Sequence, residues 1–212
     1  MHEWHQLFKI TVALFAIVNP FGGIPIFISA TSGWTARDRA RTSRTVALTV
    51  FVVLAIAAFT GDRILDFFNI SIGSFLVGGG ILILLLAISM LQAKESLIRQ
   101  TPEEAVEAAD RQAIGVVPLG IPLLAGPGAI SSVIIAAHQF RHGDLVGHML
   151  LLIPITTVAL VVWGIFLLSG RISRRLGKTG INIVTRLMGL ILAAMAVEFI
   201  ARGLIELFPR LA

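Results

Sequence analysis

The sequence predicts an all-α, polytopic membrane protein whose six transmembrane helices form two inverted three-helix repeats. Three observations predict it: an apolar composition, six apolar stretches, and a pattern that recurs at nearly constant spacing. Hydrophobic residues make up 56% of the 212 residues and charged residues 14%, whereas soluble domains have about 25% charged residues. A soluble fold of this size would need more charge to cover its surface, so the outside of this chain should face lipid.

Six stretches supply the predicted spans, since about 20 mainly apolar residues cross the ~30 Å hydrocarbon core of a bilayer. They cover residues 7–30, 45–59, 71–91, 114–137, 148–169 and 182–207. The first is interpreted as mature structure rather than a cleaved signal, because Glu3 precedes it and Pro20 and Pro25 interrupt its second half. These spans divide the chain into a first repeat (1–93), a cytoplasmic connecting loop (94–111) and a second, inverted repeat (112–212).

The distribution of Lys and Arg predicts the orientation. Twelve of the 17 cations fall in the first, third and fifth connections or just inside the last span. The positive-inside rule therefore places these connections in the cytoplasm and both termini on the outer, periplasmic side of an inner membrane. The arginines are then topology signals, so the net charge of +5 does not indicate nucleic-acid binding. Asp62, Arg63 and Asp66 are assigned to a short, solvated outer loop.

The third and sixth spans resemble each other, as do the first and fourth. Residues 80–91 align with residues 189–200 at an offset of 109, and both segments begin with glycine. Pro20 aligns with Pro127 at an offset of 107. Because each repeat has three spans, the second copy crosses the membrane in the opposite sense. Inverted repeats recur in secondary transporters, which hold substrate near the midplane between the two halves.

The two prolines predict where a substrate would bind. Proline breaks a helix, and in lipid the freed backbone groups must face protein or a wet cavity. Asn19 before Pro20, and Gly126 before Pro127, can each begin a new half-helix whose N-terminus attracts a carboxylate. The glycines that would let a ligand approach the backbone are Gly22, Gly23, Gly126 and Gly128. A single kink is more often a packing feature, but two matched breaks favour a binding site.

Three segments carry a resemblance to a known family. They are AIVNPFGGIP at 16–25, PLGIPLLAGPGAI at 118–130 and RLMGLILAA at 186–194. They resemble the MarC family of bacterial and archaeal inner-membrane proteins, which includes the SnatA neutral amino acid transporters. The resemblance covers nearly the whole chain and implies a carrier of small neutral amino acids, typically glycine and alanine, coupled to an ion such as H⁺ or Na⁺. It places the broken-helix motifs on Asn19, Pro20, Gly22 and Gly23 and on Gly126, Pro127 and Gly128.

Other polar residues within the spans have two interpretations each. Ser131 and Ser132, one turn past the second break, could bind substrate or their own backbone. Glu198 lies well inside an apolar stretch and could couple transport to protons. Arg202 follows four residues later, and this spacing favours a structural ion pair.

The histidines near the fourth connection invite a metal interpretation. His138, His142 and His148 have only Asp144 as a nearby acid, which favours exposed loop histidines over metal ligands. No metal or other cofactor is therefore expected, and the absence of cysteine excludes thiol ligands.

Three other functions compete with transport. An intramembrane enzyme is not expected, because no His-Glu-x-x-His or Gly-x-Ser-x-Gly motif and no cysteine occurs. A channel-like pore, or an exporter of other small solutes, could also use broken half-helices. A non-transporting membrane protein would leave the matched breaks unexplained. The favoured function is a secondary transporter of glycine, alanine or serine-like zwitterions; the sequence does not indicate the oligomeric state.

Overall fold

The computed structural model describes residues 2–92, 124–139 and 145–209, and its regular structure is helical throughout. The helices are α1 His2–Val18, α2 Pro20–Ala30, α3 Ala36–Phe67, α4 Ile72–Leu91, α5 Pro127–Gln139, α6 Leu145–Leu167 and α7 Ser169–Leu207. Within the described ranges, five segments are long and apolar enough to cross a membrane, with α1 and α2 together forming one of them. These segments confirm a multi-pass, all-helical membrane protein. Residues 114–123 of the predicted fourth span and the loop 94–111 lie outside the described residues.

Helix α3 is much longer than the predicted span at 45–59. It has 32 residues, or about 48 Å at 1.5 Å per residue, so it extends beyond the hydrocarbon core. Thr35 begins it: its Oγ1 accepts from the Asp38 backbone N–H at 3.2 Å and donates to the Asp38 carboxylate at 2.7 Å. The assignment of 62–66 to a loop was therefore wrong, because those residues lie in the last turns of α3.

The predicted fifth connection is also helical. Only Leu168 separates α6 from α7, so Arg171, Arg174 and Arg175 lie in the first turns of α7 rather than in a loop. Gly177 interrupts α7 with φ 61° and ψ −178°. This left-handed backbone suits glycine, and it divides a short basic segment from the long membrane-spanning part of α7.

Helices α4 and α7 pack against each other in antiparallel fashion through small residues. A Cβ atom built on Gly203 would lie 2.6 Å from the carbonyl oxygen of Gly73, and one on Gly80 would lie 3.0 Å from that of Ala196. The small residues of this contact recur every seven positions: Gly73, Gly80 and Ala87 on α4, and Gly189, Ala196 and Gly203 on α7. Such spacing lets two helix backbones approach closely in a membrane.

The two short helices, α2 and α5, each pack against two of the longer helices. Helix α2 packs against α6 and α7, whereas α5 packs against α3 and α4. The Phe27 ring on α2 stacks on the Phe166 ring on α6, with centroids 4.8 Å apart. On the other side, a Cβ atom on Gly61 of α3 would collide with the side chain of Ile134 on α5. The candidate site residues on α2 and α5 are therefore held among the long helices.

Candidate functional site

The backbone is interrupted at Asn19, between α1 and α2. Asn19 has φ 45° and ψ 63°, a left-handed conformation that asparagine tolerates better than most side chains. Its backbone N–H still donates to the Phe15 carbonyl at 3.0 Å, so it closes α1. Its side-chain Oδ1 accepts from the Gly22 N–H at 3.3 Å, so it also begins α2, and Pro20 takes the first helical position.

The Asn19 side chain is buried and only half satisfied. The residue is 1% exposed, and its Nδ2 has no hydrogen-bond partner in the described structure. A buried donor without a partner costs about 1–3 kcal/mol, and native structures rarely tolerate one without a reason. A bound polar group would supply the missing acceptor.

The second break is predicted at Gly126 and Pro127, where the described helix α5 begins. The Gly126 carbonyl accepts from the N–H groups of Ala129 and Ile130 at 3.0 and 3.1 Å. The two helix starts differ in their exposure, because Pro20 is buried and Pro127 is exposed. The part of the predicted fourth span before residue 124 lies outside the described residues.

The structure brings the starts of α2 and α5 close together. A Cβ atom on Gly128 would lie 3.6 Å from Ile17 Cγ2 and 3.6 Å from Ile83 Cγ1. Ile17 precedes Asn19 by two residues, so the first turn of α5 lies beside the end of α1. Ile83 is a fully buried residue on α4. Residues that the sequence separates by more than 100 positions therefore form one buried region against the middle of α4.

The glycines of the motif have different surroundings. A Cβ atom on Gly22 would collide with the Asn19 amide. The space left by the missing side chain of Gly22 is therefore occupied by the Asn19 side chain and is not open. At Gly128 the neighbours lie at ordinary van der Waals distance, and a methyl group would fit. Gly23 is buried, whereas Gly126 is half-buried.

The two serines in the second turn of α5 face the interior of the structure. Ser131 and Ser132 are both buried on α5, and Ser131 Cβ would lie 3.1 Å from a Cβ atom built on Gly79 of α4. Thr31, at the end of α2, binds its own backbone instead, since its Oγ1 donates to the Phe27 carbonyl at 2.7 Å. The two serines thus share a buried helix with Gly128, and Thr31 has a structural role.

The site has no ionised side chain among the buried residues that the structure describes. In the whole described structure the buried polar residues are Asn19, Thr31, Thr42, Ser43, Ser131, Ser132 and Ser169, all neutral. Backbone dipoles and neutral hydroxyl or amide groups are therefore the partners that this region offers to a charged ligand.

Glu198 and Arg202 form an ion pair on α7. Arg202 Nε donates to Glu198 Oε1 at 2.7 Å, and their side chains are 57% and 58% exposed. This contact is the i,i+4 pair that the spacing predicts. It lies on the outside of the bundle, away from the buried residues around Asn19.

A pair between Asp62 and His138 was missed by the sequence analysis. His138 Nδ1 lies 3.4 Å from Asp62 Oδ1, and the side chains are 35% and 14% exposed. The expectation that both are solvated loop residues was wrong, because Asp62 lies on α3 and His138 on α5. A separation of 76 residues gives no sequence signal for such a contact. His142 lies outside the described residues, within which no group of three or more metal-ligating side chains occurs.

Comparison with known proteins identifies the family. Residues 4–208 match the MarC family of integral membrane proteins. The UPF0056 membrane protein YhcE of Escherichia coli is 46% identical over 205 residues, covering 96% of this chain and 94% of that protein. YvbG of Bacillus subtilis is 39% identical over 199 residues, covering 93% of each chain. A UPF0056 membrane protein of Pyrococcus horikoshii is 34% identical over 191 residues, covering 90% of each. No solved structure matches. This chain belongs to the MarC family of integral membrane proteins.

Proposed function

We propose that this chain is a secondary transporter that moves small neutral amino acids such as glycine, alanine and serine across the cytoplasmic membrane by alternating access, coupled to H⁺ or Na⁺. It is proposed to act as a carrier and not as an enzyme. The observation that carries the proposal is the unpaired Asn19 Nδ2, which is buried at the N-terminus of α2.

The chemistry around Asn19 supports a zwitterionic ligand. Pro20 has no N–H, and the Gly22 N–H already bonds Asn19 Oδ1. The Asn19 amide and the Phe21 N–H are thus the donors that this turn offers to a carboxylate. Because the buried polar side chains of the described region are neutral, an amino acid with a charged side chain would bring an uncompensated charge. A small, neutral amino acid fits these conditions best.

Contacts between α4 and α7 support the inverted repeat. At the offset of 109, Gly80 corresponds to Gly189 and Ala87 corresponds to Ala196. A Cβ atom on Gly80 would lie 3.0 Å from the Ala196 carbonyl, and one on Gly189 would lie 3.1 Å from the Ala87 carbonyl. Exchanging the repeats converts each contact into the other. A two-fold axis between the helices produces this reciprocity, as expected for repeats that cross the membrane in opposite senses.

The half-helices show a reciprocal arrangement at the level of whole helices. Helix α2 belongs to the first repeat but packs on α6 and α7 of the second, whereas α5 belongs to the second and packs on α3 and α4 of the first. Phe27 and Ile134, which contact Phe166 and Gly61 respectively, are related by the offset of 107. If one repeat rocks against the other, the contacts that the half-helices make with the opposite repeat lie at the moving interface. This exchange supports alternating access around the breaks.

Uptake by the purified protein in proteoliposomes tests the proposal. Labelled glycine or alanine should enter saturably, with competition by serine but not by leucine, glutamate or lysine. Glycine loaded inside the vesicles should accelerate entry of labelled glycine, because a carrier exchanges substrate. Protein-free liposomes are the control. Non-saturable entry without this counterflow would indicate a channel-like pore, and no entry of any neutral amino acid would refute amino acid transport.

The proposed orientation is tested with reporter fusions. Alkaline phosphatase joined after Ala212 should be active, because the charge distribution places the C-terminus outside. The same enzyme inserted within residues 94–111 should be inactive and serves as the matched control. Fluorescence at the C-terminus from a reporter that folds only in the cytoplasm would contradict this orientation.

A further inference from the structure

We propose that Asp62 and His138 form the proton-binding site through which transport is coupled to a proton gradient. The inference rests on the proposed function and names its coupling ion. It starts from the contact between His138 Nδ1 and Asp62 Oδ1 at 3.4 Å. This contact joins two helices, and those helices belong to different proposed repeats.

The surroundings of the pair favour a proton. Asp62 is largely buried and His138 is about two-thirds buried, so water screens their interaction less than on an open surface. Imidazole is the side chain whose protonation normally changes near neutral pH. An imidazole beside a carboxylate suits a proton better than a larger cation, which needs several oxygen ligands.

The helices that pack around Asp62 and His138 carry few other titratable groups near the pair. Helix α3 carries Arg63 and Asp66 in the same turns as Asp62, and α1 carries His5 and Lys9 close to Ile10, which packs near the end of α5. Helix α4 has no titratable residue, and the α6 side chains that the structure describes add none. Residues 140–144 and the His148 side chain lie outside the part of the chain that the structure describes.

Protonation of His138 would change the strength of the contact between α5 and α3. A proton that binds the neutral imidazole gives it a positive charge and makes both ring nitrogens donors, so the contact with the Asp62 carboxylate becomes an ion pair. Acid therefore favours the state in which α5 lies against α3, and loss of the proton weakens the contact between the two helices. Helix α5 carries Gly128, Ser131 and Ser132. The contact between Asp62 and His138 therefore affects the position of the helix that forms one side of the candidate site.

The position of the pair fits coupling to an inward proton gradient. Asp62 lies near the end of α3 opposite to its arginine-rich beginning. In the proposed topology this end faces the outer compartment, from which protons flow inward. Proton binding from outside would hold the conformation in which substrate is taken up.

Proteoliposomes that contain the full chain separate coupling from transport. Wild-type protein should show glycine counterflow at equal pH on both sides, and accumulation of glycine when the outer medium is more acidic. With one proton per glycine, a gradient of one pH unit supports about tenfold accumulation. His138→Gln should retain counterflow within about twofold and accumulate nothing, because the carrier still exchanges substrate but no longer binds the proton. His5→Gln, which removes an exposed histidine, is the matched control and should behave as wild type.

A second variant, Asp62→Asn, and a measurement of glycine binding test the coupling site if His138→Gln folds poorly. Asp62→Asn retains an acceptor for the imidazole but removes the negative charge, and it should also lose gradient-driven accumulation. Glycine affinity should depend on pH in wild type and become independent of pH in either variant. Accumulation at the wild-type level in both variants, or counterflow without any accumulation in wild type, would overturn the coupling site and leave the carrier intact. Absence of wild-type counterflow would instead refute the carrier.

Discussion

Asn19→Gly is expected to weaken glycine binding by about 1–3 kcal/mol, or roughly fivefold to 150-fold in Kd. The buried Nδ2 lacks a partner in the described structure, so a ligand carboxylate that accepts from it would lose a hydrogen bond in a water-poor region. Glycine is the sharper replacement, because it adopts the left-handed backbone of Asn19 without strain. Alanine at this φ of 45° would add about 1–2 kcal/mol of conformational cost. Calorimetric titration of the purified variants with glycine measures the change.

Two further variants isolate the role of the amide. Asn69→Gly is the matched control, since Asn69 also has a positive φ, of 53°, but is exposed in the turn between α3 and α4. It should bind glycine as wild type does. Asn19→Asp has nearly the same shape and keeps the acceptor for Gly22, but it replaces the donor with a negative charge. It should bind more weakly than Asn19→Gly, because two carboxylates would meet. Equal affinity in wild type, Asn19→Gly and Asn19→Asp would remove Asn19 from the binding site.

Local chemistry explains why the break at Asn19 could be predicted. A capping residue followed by proline begins a helix wherever it occurs, so the sequence predicts the positions of Asn19 and Pro20 without knowledge of the packing. Apolar length likewise predicts where lipid-facing helices lie. What a local pattern does not show is which side chains remain unsatisfied. The unpaired state of Nδ2 depends on the helices that enclose Asn19.

The errors have equally physical causes. Hydropathy reports where a helix meets lipid, not where it ends, so the predicted second span stopped at residue 59 while α3 continues to Phe67. The cap at Thr35 and Asp38 is a signal that would have extended its beginning. No comparable signal exists for Asp62 and His138, because contacts between distant helices depend on the rotation of each helix. The collision that a side chain at Gly61 would have with Ile134 shows how closely α3 and α5 approach near that pair.

The close contact between α4 and α7 predicts the largest effect on stability. Gly203→Ala should lower the free energy of unfolding by about 1–3 kcal/mol, the usual cost of overpacking. The added Cβ would lie 2.6 Å from the Gly73 carbonyl oxygen and 2.9 Å from Leu76 Cβ. A carbonyl oxygen of a helix backbone cannot move aside as a flexible side chain can, so the two helices must separate. In a membrane, van der Waals packing provides much of the association between helices, and that packing would be lost along the whole contact.

Gly78→Ala provides the matched control on α4. A Cβ atom there would have no described atom within 4 Å, so the substitution adds only the higher helix propensity of alanine, worth up to about 1 kcal/mol. Thermal unfolding in detergent should show Gly203→Ala melting about 2–12 °C below wild type, and Gly78→Ala melting at or above it. A Cβ atom on Gly80 would lie 3.0 Å from the Ala196 carbonyl oxygen and 2.7 Å from Ile200 Cγ1, a side-chain atom that can shift, so Gly80→Ala should fall between them. The order of the three variants follows from contact distance and not from residue type, because every substitution is the same. Equal melting of Gly203→Ala and Gly78→Ala would mean that α4 and α7 do not approach closely enough for their small residues to matter, and the reciprocal contacts that support the inverted repeat would lose their basis.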